Sequence, residues 1–213
     1  MSRSKKSGER LWTPANIVTV IRICLVPVFV VVILSPWPDW FPLWPEANLY
    51  KPWVSALVFI LIAATDALDG YLARSRNEMT DFGKFVDPLA DKLLVTAALL
   101  ALVELRILPT WVALIIIARE FIVSGIRMVA ANKGTVIAAS WYGKAKTFTQ
   151  IIAIVLFIVK DSVLVTDTIE VLAQPLYLIS WAFMLAAVAL TLISMLDYFV
   201  KVLLSIITHI YSP

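Results

Sequence analysis

The sequence predicts an all-α integral membrane protein, a bundle of six transmembrane helices with both termini in the cytoplasm. Three observations lead there. Of 213 residues, 61% are hydrophobic and 15% are charged, against roughly a half and a quarter in soluble domains, and the mean hydropathy is +0.90. The apolar residues gather into runs long enough to cross a bilayer. The lysines and arginines then fall almost entirely on one side. The same sparse charge excludes a disordered chain. A single cysteine, Cys24, leaves no disulfide framework and no cysteine-rich zinc site. A net charge of +3 gives no reason to expect nucleic acid as a partner.

A span takes about 20 mostly apolar residues at a rise of 1.5 Å each. The first run covers roughly 17–34, after a basic tail at 1–13. It lacks the small-residue cleavage site of a signal peptide, and Trp and Pro follow it. Pro27 is a candidate kink inside it. The second and third runs cover roughly 53–75 and 83–105, joined by the polar turn Ser75 to Asp81. The fourth and fifth cover roughly 109–131 and 147–165. The sixth, roughly 175–207, is long enough to tilt or to extend into water. No repeat, low-complexity tract or linker divides the chain, so 1–213 reads as a single transmembrane domain.

Six spans put both termini on one side, together with Arg3, Lys5, Lys6, Arg10, Arg74, Arg76, Lys84, Arg127, Lys133, Lys144, Lys146 and Lys201. The other side holds only Lys51, Arg106 and Lys160. The positive-inside bias makes the first side cytoplasmic. The Trp- and Pro-rich stretch 35–52 and the acidic stretch 161–170 then lie outside.

Four carboxylates stand inside or at the ends of apolar helices, where ionisable groups are costly and usually functional: Asp66, Asp69, Asp87 and Asp91. Asp66 and Asp69 are three apart and share a helix face; Asp87 and Asp91, four apart, do likewise. With a fold-back near Glu78, Asp69 and Asp87 each lie about 13 Å from the turn, and Asp66 and Asp91 about 18–20 Å. The two pairs are level across one helical hairpin, near the cytoplasmic interface. Four such charges require either protonation or divalent cations. Hard oxygens with no His or Cys nearby select Mg²⁺ or Mn²⁺, and four Asp suit two ions and in-line attack at phosphorus. Gly70 and Gly83 adjoin these acids and leave space for a flat group or a close backbone; helix packing through small residues is the alternative reading of either alone.

Written out, the stretch is Asp66-x2-Asp69-Gly70-x2-Ala73-Arg74-x8-Gly83-x3-Asp87-x3-Asp91. It resembles the signature of the CDP-alcohol phosphatidyltransferase family at every defined position. The resemblance implies that Asp66, Asp69 and Asp87 bind metal and, through it, the pyrophosphate of a CDP-linked lipid. It implies that Gly70, Ala73 and Gly83 make room for cytidine and that Arg74 contacts nucleotide or phosphate. Asp91 would both touch a metal and act as general base on the acceptor hydroxyl. It further implies a homodimer.

The segments Arg119 to Arg127, Ala139 to Thr147 and Thr13 to Arg22 are similar to the members of that family that use glycerol 3-phosphate as acceptor. The resemblance therefore implies transfer from CDP-diacylglycerol to sn-glycerol 3-phosphate, with phosphatidylglycerol phosphate and CMP as products. Charge fits independently, because a dianionic acceptor entering a carboxylate-rich site needs cations of its own. Arg119, Arg127, Lys144 and Lys146 are the candidates for its phosphate. Pairing of Arg119 with Glu120 or Asp91, and headgroup anchoring by the lysines, are the alternatives. Asn16, Thr19 and Arg22 recur every three residues at the start of the first span and are candidates to line the nucleotide side, with capping an alternative for the first two. Competing functions are the same chemistry with inositol phosphate or phosphatidylglycerol as acceptor, the latter making cardiolipin, and a divalent-cation transporter. A transporter predicts a midplane site, discontinuous helices and internal repeats, none of which the sequence shows.

Overall fold

The computed structural model describes residues 14–40, 47–76, 81–132, 141–168 and 170–211, with side chains described at 19–40, 47–65, 92–128, 143, 145–167 and 171–200. The described residues are helices joined by short turns, with no strand among them. In chain order the helices are α1 (Pro14–Leu34), α2 (Ala47–Arg76), α3 (Asp81–Glu104), α4 (Thr110–Asn132), α5 (Trp141–Val159) and α6 (Glu170–Tyr211). A 3₁₀ turn at Trp37–Trp40 follows α1, and a π-helical turn at Leu164–Thr168 precedes α6.

Each helix follows an apolar run read from the sequence, but several begin earlier. α2 starts at Ala47, α5 at Trp141 and α6 at Glu170. Hydropathy marks where a helix turns apolar, whereas the backbone goes on coiling through its polar first turns. Pro52 and Pro175 are each the sixth residue of their helices, in the second turn, so each gives up one intrahelical bond close to the helix start. One consequence is that Lys146 lies inside α5 and not ahead of it. At 42 residues α6 is about 63 Å long, twice the hydrocarbon thickness.

The helices form a closed ring in the order α1, α2, α5, α6, α4, α3, with α3 and α5 also meeting across it. Its core is built from residues at helical spacing: Val26, Phe29 and Ile33 from α1, Phe59 and Ile62 from α2, Ala98, Leu99 and Leu102 from α3, and Ile154, Phe157 and Met184 from α5 and α6. The Phe29 and Phe59 rings pack at 5.6 Å between centroids, and Phe157 meets Trp181 edge-on at 5.2 Å. The outer faces are apolar as well. Leu57 and Leu61 on α2, Leu114 on α4 and Leu178, Leu185 and Leu196 on α6 are all more than half exposed. Helices apolar on both faces are unsuited to water and suited to lipid. Among the described residues, Ala47–Thr65 and Val171–Val200 are long and apolar enough to cross a membrane, and Thr19–Leu34 and Ala145–Val159 are shorter apolar stretches.

Helix ends in such a setting need partners for their free carbonyls. At the end of α1, the Ser35 hydroxyl donates to the Val31 carbonyl at 2.5 Å and the Trp37 indole N–H to the Val32 carbonyl at 2.9 Å. α3 ends differently. The Arg106 N–H bonds Val103 O at 2.9 Å and the Ile107 N–H bonds Leu102 O at 3.1 Å, the paired bonds of a Schellman cap. The residue that turns the chain there has φ 58° and is Arg106, not the usual glycine. A side chain in that region costs about 1 kcal/mol. In detergent without anionic lipid, Arg106→Gly is therefore expected to raise Tm by about 2–4 °C, read by thermal unfolding.

Candidate active site

The acidic signature is carried by two consecutive helices. Asp66, Asp69, Gly70, Ala73 and Arg74 lie in the second half of α2, and Gly83, Asp87 and Asp91 in the first half of α3. Four residues join the helices, so they run antiparallel with these ends together. Asp66 and Asp91 each lie ten residues from their helix ends, about 15 Å along the axis. Asp69 and Asp87 lie seven and six residues in, about 9–11 Å. The helix bounds thus keep the pairs level. The side chains of these eight residues lie outside those described, as does that of Asn16. As a donor set the four carboxylates fit a divalent cation: all are hard oxygens, from two adjoining helices at matched depth.

α1 packs against both α2 and α3 and begins at the same end. Thr19 and Arg22, one turn apart, are 4% and 3% exposed, buried on one face of this helix. A buried arginine on a helix that packs against both acid-bearing helices is a costly charge in an apolar setting.

A second polar group joins α4, α5 and α6. Arg119 is 8% exposed. Its Nη2 donates to Ser194 Oγ on α6 at 2.6 Å and its Nη1 to Glu120 Oε1 at 3.3 Å. Lys146 of α5 forms an ion pair with the same Glu120 oxygen. One carboxylate therefore bridges two buried cations, leaving one positive charge within this triad. Among the described residues, Arg119 Nε and, on α5 and α6, Gln150 Nε2, Thr191 Oγ1 and Tyr198 OH are buried without a hydrogen-bond partner. A buried polar atom is costly unless something pairs with it, and water or an ion is one such partner. Arg127 stands apart. It is exposed, about 12 Å further along α4, with its guanidinium 5.8 Å over the Tyr198 ring. Of the four basic candidates, then, Arg119 and Lys146 are brought together, Arg127 lies two turns away, and the Lys144 side chain is outside those described.

Sequence reasoning passed over α6. Thr191, Ser194 and Tyr198 are all buried and recur at helical spacing on one face of an otherwise apolar helix, a polar stripe that was there to be read. Glu120 entered only as a partner for Arg119, and its bridge to Lys146 needed the packing of α5. Removing it should expose the triad's internal repulsion. Glu120→Ala is expected to lower Tm by about 6–10 °C, the cost of leaving buried cations without their shared counter-ion. Ser124→Ala, which loses only a bond to the backbone of its own helix, should shift Tm by about 2 °C or less.

Residues 12–199 match the CDP-alcohol phosphatidyltransferase family. The chain is 48% identical over 145 residues to the CDP-diacylglycerol--glycerol-3-phosphate 3-phosphatidyltransferase of Bacillus subtilis, covering 65% of this chain and 72% of that one. It is 37% identical over 194 residues to a Mycobacterium tuberculosis protein named "Probable phosphatidylglycerophosphate synthase", covering 91% and 83%. It is 40% identical over 144 residues to the CDP-diacylglycerol--glycerol-3-phosphate 3-phosphatidyltransferase of Salmonella typhimurium, covering 65% and 72%.

Proposed function

The chain belongs to the CDP-alcohol phosphatidyltransferase family, and from that premise we propose that it transfers the phosphatidyl group of CDP-diacylglycerol to sn-glycerol 3-phosphate. The products are phosphatidylglycerol phosphate and CMP. The observation that carries this is the 48% identity to a relative whose name states the same reaction. The complete acidic signature and the buried cationic triad support it from the side of chemistry.

In this reading Asp91 accepts the proton of the acceptor's primary hydroxyl. The oxygen attacks the phosphorus that carries diacylglycerol, in line with the anhydride bond to CMP. That bond breaks, and CMP departs with its electron pair. Asp66, Asp69, Asp87 and Asp91 would hold divalent cations, Mg²⁺ or Mn²⁺ and two by the number of ligands. Bound there, such cations neutralise the pyrophosphate and the departing phosphate. Gly70, Ala73 and Gly83 leave room for cytidine, Arg74 meets the nucleotide phosphate, and Asn16, Thr19 and Arg22 line the nucleotide side. Arg119 and Lys146, with Arg127 and Lys144 nearer the cytoplasm, attract and orient the acceptor phosphate.

The setting follows from the substrates. The whole chain, 1–213, acts as one catalytic domain with six spans and both termini cytoplasmic. Acyl chains stay in the bilayer of the cell membrane while glycerol 3-phosphate and CMP exchange with the cytoplasm. The working unit is a homodimer. The test is CMP release by purified protein given CDP-diacylglycerol, Mg²⁺ or Mn²⁺ and one acceptor at a time. Release with glycerol 3-phosphate alone is expected. Release with inositol phosphate or phosphatidylglycerol alone would keep the acidic site and overturn the acceptor. No release from folded protein would overturn the reaction.

A further inference from the structure

At the end of the bundle opposite the α2–α3 turn, a cavity of about 530 Å³ opens between the α3–α4 loop, the end of α5 and the start of α6. Its polar lining comes from Arg106, Thr110, Lys160 and Asp161, and its aromatic wall from Tyr177 and Trp181. The Lys160 side chain is only 4% exposed. Its ammonium lies 5.1 Å from the centroids of both the Phe157 and Tyr177 rings and pairs with Asp161.

Three features give this cavity an appetite for anions. Two cations line it against one carboxylate, and that carboxylate is half-exposed. α4 begins at Thr110 on its rim, so the positive end of a 23-residue helix adds to the field. The Trp181 Nε1–H, buried, has no acceptor among the described residues. A fourth observation concerns cost. Arg106 occupies a left-handed position that glycine would fill without strain, and its side chain is one of the cavity's two cations. The aromatic wall is of the kind that sits at a membrane–water interface, facing lipid on one side and headgroups on the other.

We propose that this cavity binds the phosphate of an anionic phospholipid, with Lys160 and Arg106 as its cationic contacts and Tyr177 and Trp181 against the glycerol and upper acyl chain. Under the proposed orientation the lipid belongs to the outer leaflet, far from the acids of α2 and α3; the binding itself does not depend on that orientation or on the reaction.

Thermal unfolding of the full chain in neutral detergent tests it, titrated separately with phosphatidylglycerol, phosphatidylcholine and inorganic phosphate. The variants are Arg106→Gly, Lys160→Gln and the double substitution. Phosphatidylglycerol should raise Tm of the unsubstituted protein more than phosphatidylcholine does. The concentration giving the half-maximal shift should rise about tenfold in either single variant and further in the double. Arg106→Gly relieves backbone strain, so it keeps the test open if Lys160→Gln does not fold. Lipid bound elsewhere on the protein contributes equally to every variant and cancels. An unchanged phosphatidylglycerol response in Arg106→Gly and in every other variant that folds would overturn the site. A shift with inorganic phosphate equal to that with phosphatidylglycerol would overturn the lipid as its ligand.

Discussion

Asp91→Asn is expected to lower CMP release by a factor of about 10³ or more while CDP-diacylglycerol remains bound at detectable affinity. The substitution keeps the size and shape of the side chain and removes its capacity to take a proton. Loss of a positioned general base alone costs about 10²–10⁴ in rate. Loss of one anionic oxygen from the ligand set adds to it. Binding should persist because the nucleotide and pyrophosphate contacts proposed for α1, α2, Gly83 and Asp87 are all kept by the variant. Folding should persist too, since the buried apolar stripe of α3, Leu94, Ala98 and Leu102, lies beyond residue 91. The pair of measurements is CMP release at saturating acceptor and equilibrium binding of the CDP-lipid to the same preparation. Turnover at the unsubstituted rate would end the role assigned to Asp91. Loss of binding and turnover together would make it a ligand-holding residue and not the base.

Much of the helical arrangement was legible because a membrane removes alternatives. A backbone in lipid has to satisfy its own hydrogen bonds, so six apolar runs separated by polar punctuation leave little choice but six helices, and α1 to α6 follow those runs. Boundaries were less legible. The first turns of α5 and α6 carry Lys144, Lys146 and Glu170, residues that hydropathy assigns to loops although they coil readily. The ring order was not legible at all. That α1 packs against both α2 and α3, and α5 between α2 and α6, depends on which apolar faces fit, and all six helices are apolar on most faces.

The two polar regions differ in the same way. The acids of α2 and α3 declare themselves through spacing, because i, i+3 and i, i+4 pairs on adjoining helices need no tertiary information. The triad of Arg119, Glu120 and Lys146 does not, since its members come from helices with an intervening loop and its Ser194 contact spans 75 residues. Only the packing of α4 on α6 and of α5 on α6 brings them together. Polar residues on a late, apolar helix read as isolated until their common face is seen against Arg119.

Arg119→Gln is expected to raise the apparent KM for glycerol 3-phosphate about 10–100-fold and to leave that for CDP-diacylglycerol within about threefold. The estimate is the value of one or two charge-assisted hydrogen bonds to a phosphate, about 1.5–3 kcal/mol. The asymmetry follows from position. Arg119 lies on α4 and is bound to α6 and, through Glu120, to α5, whereas the acidic signature proposed to bind the CDP-lipid lies on α2 and α3. Arg119→Lys separates charge from geometry. It restores the cation but not the planar fork that reaches Ser194 with one nitrogen and Glu120 with the other, so it should recover only part of the acceptor KM. A purely structural arginine would behave otherwise: its loss would lower Tm and depress the kinetics with both substrates alike. Equal rises in the two KM values, in protein that unfolds at the unsubstituted temperature, would remove Arg119 from the acceptor site and leave Lys146 as the buried cation to test next.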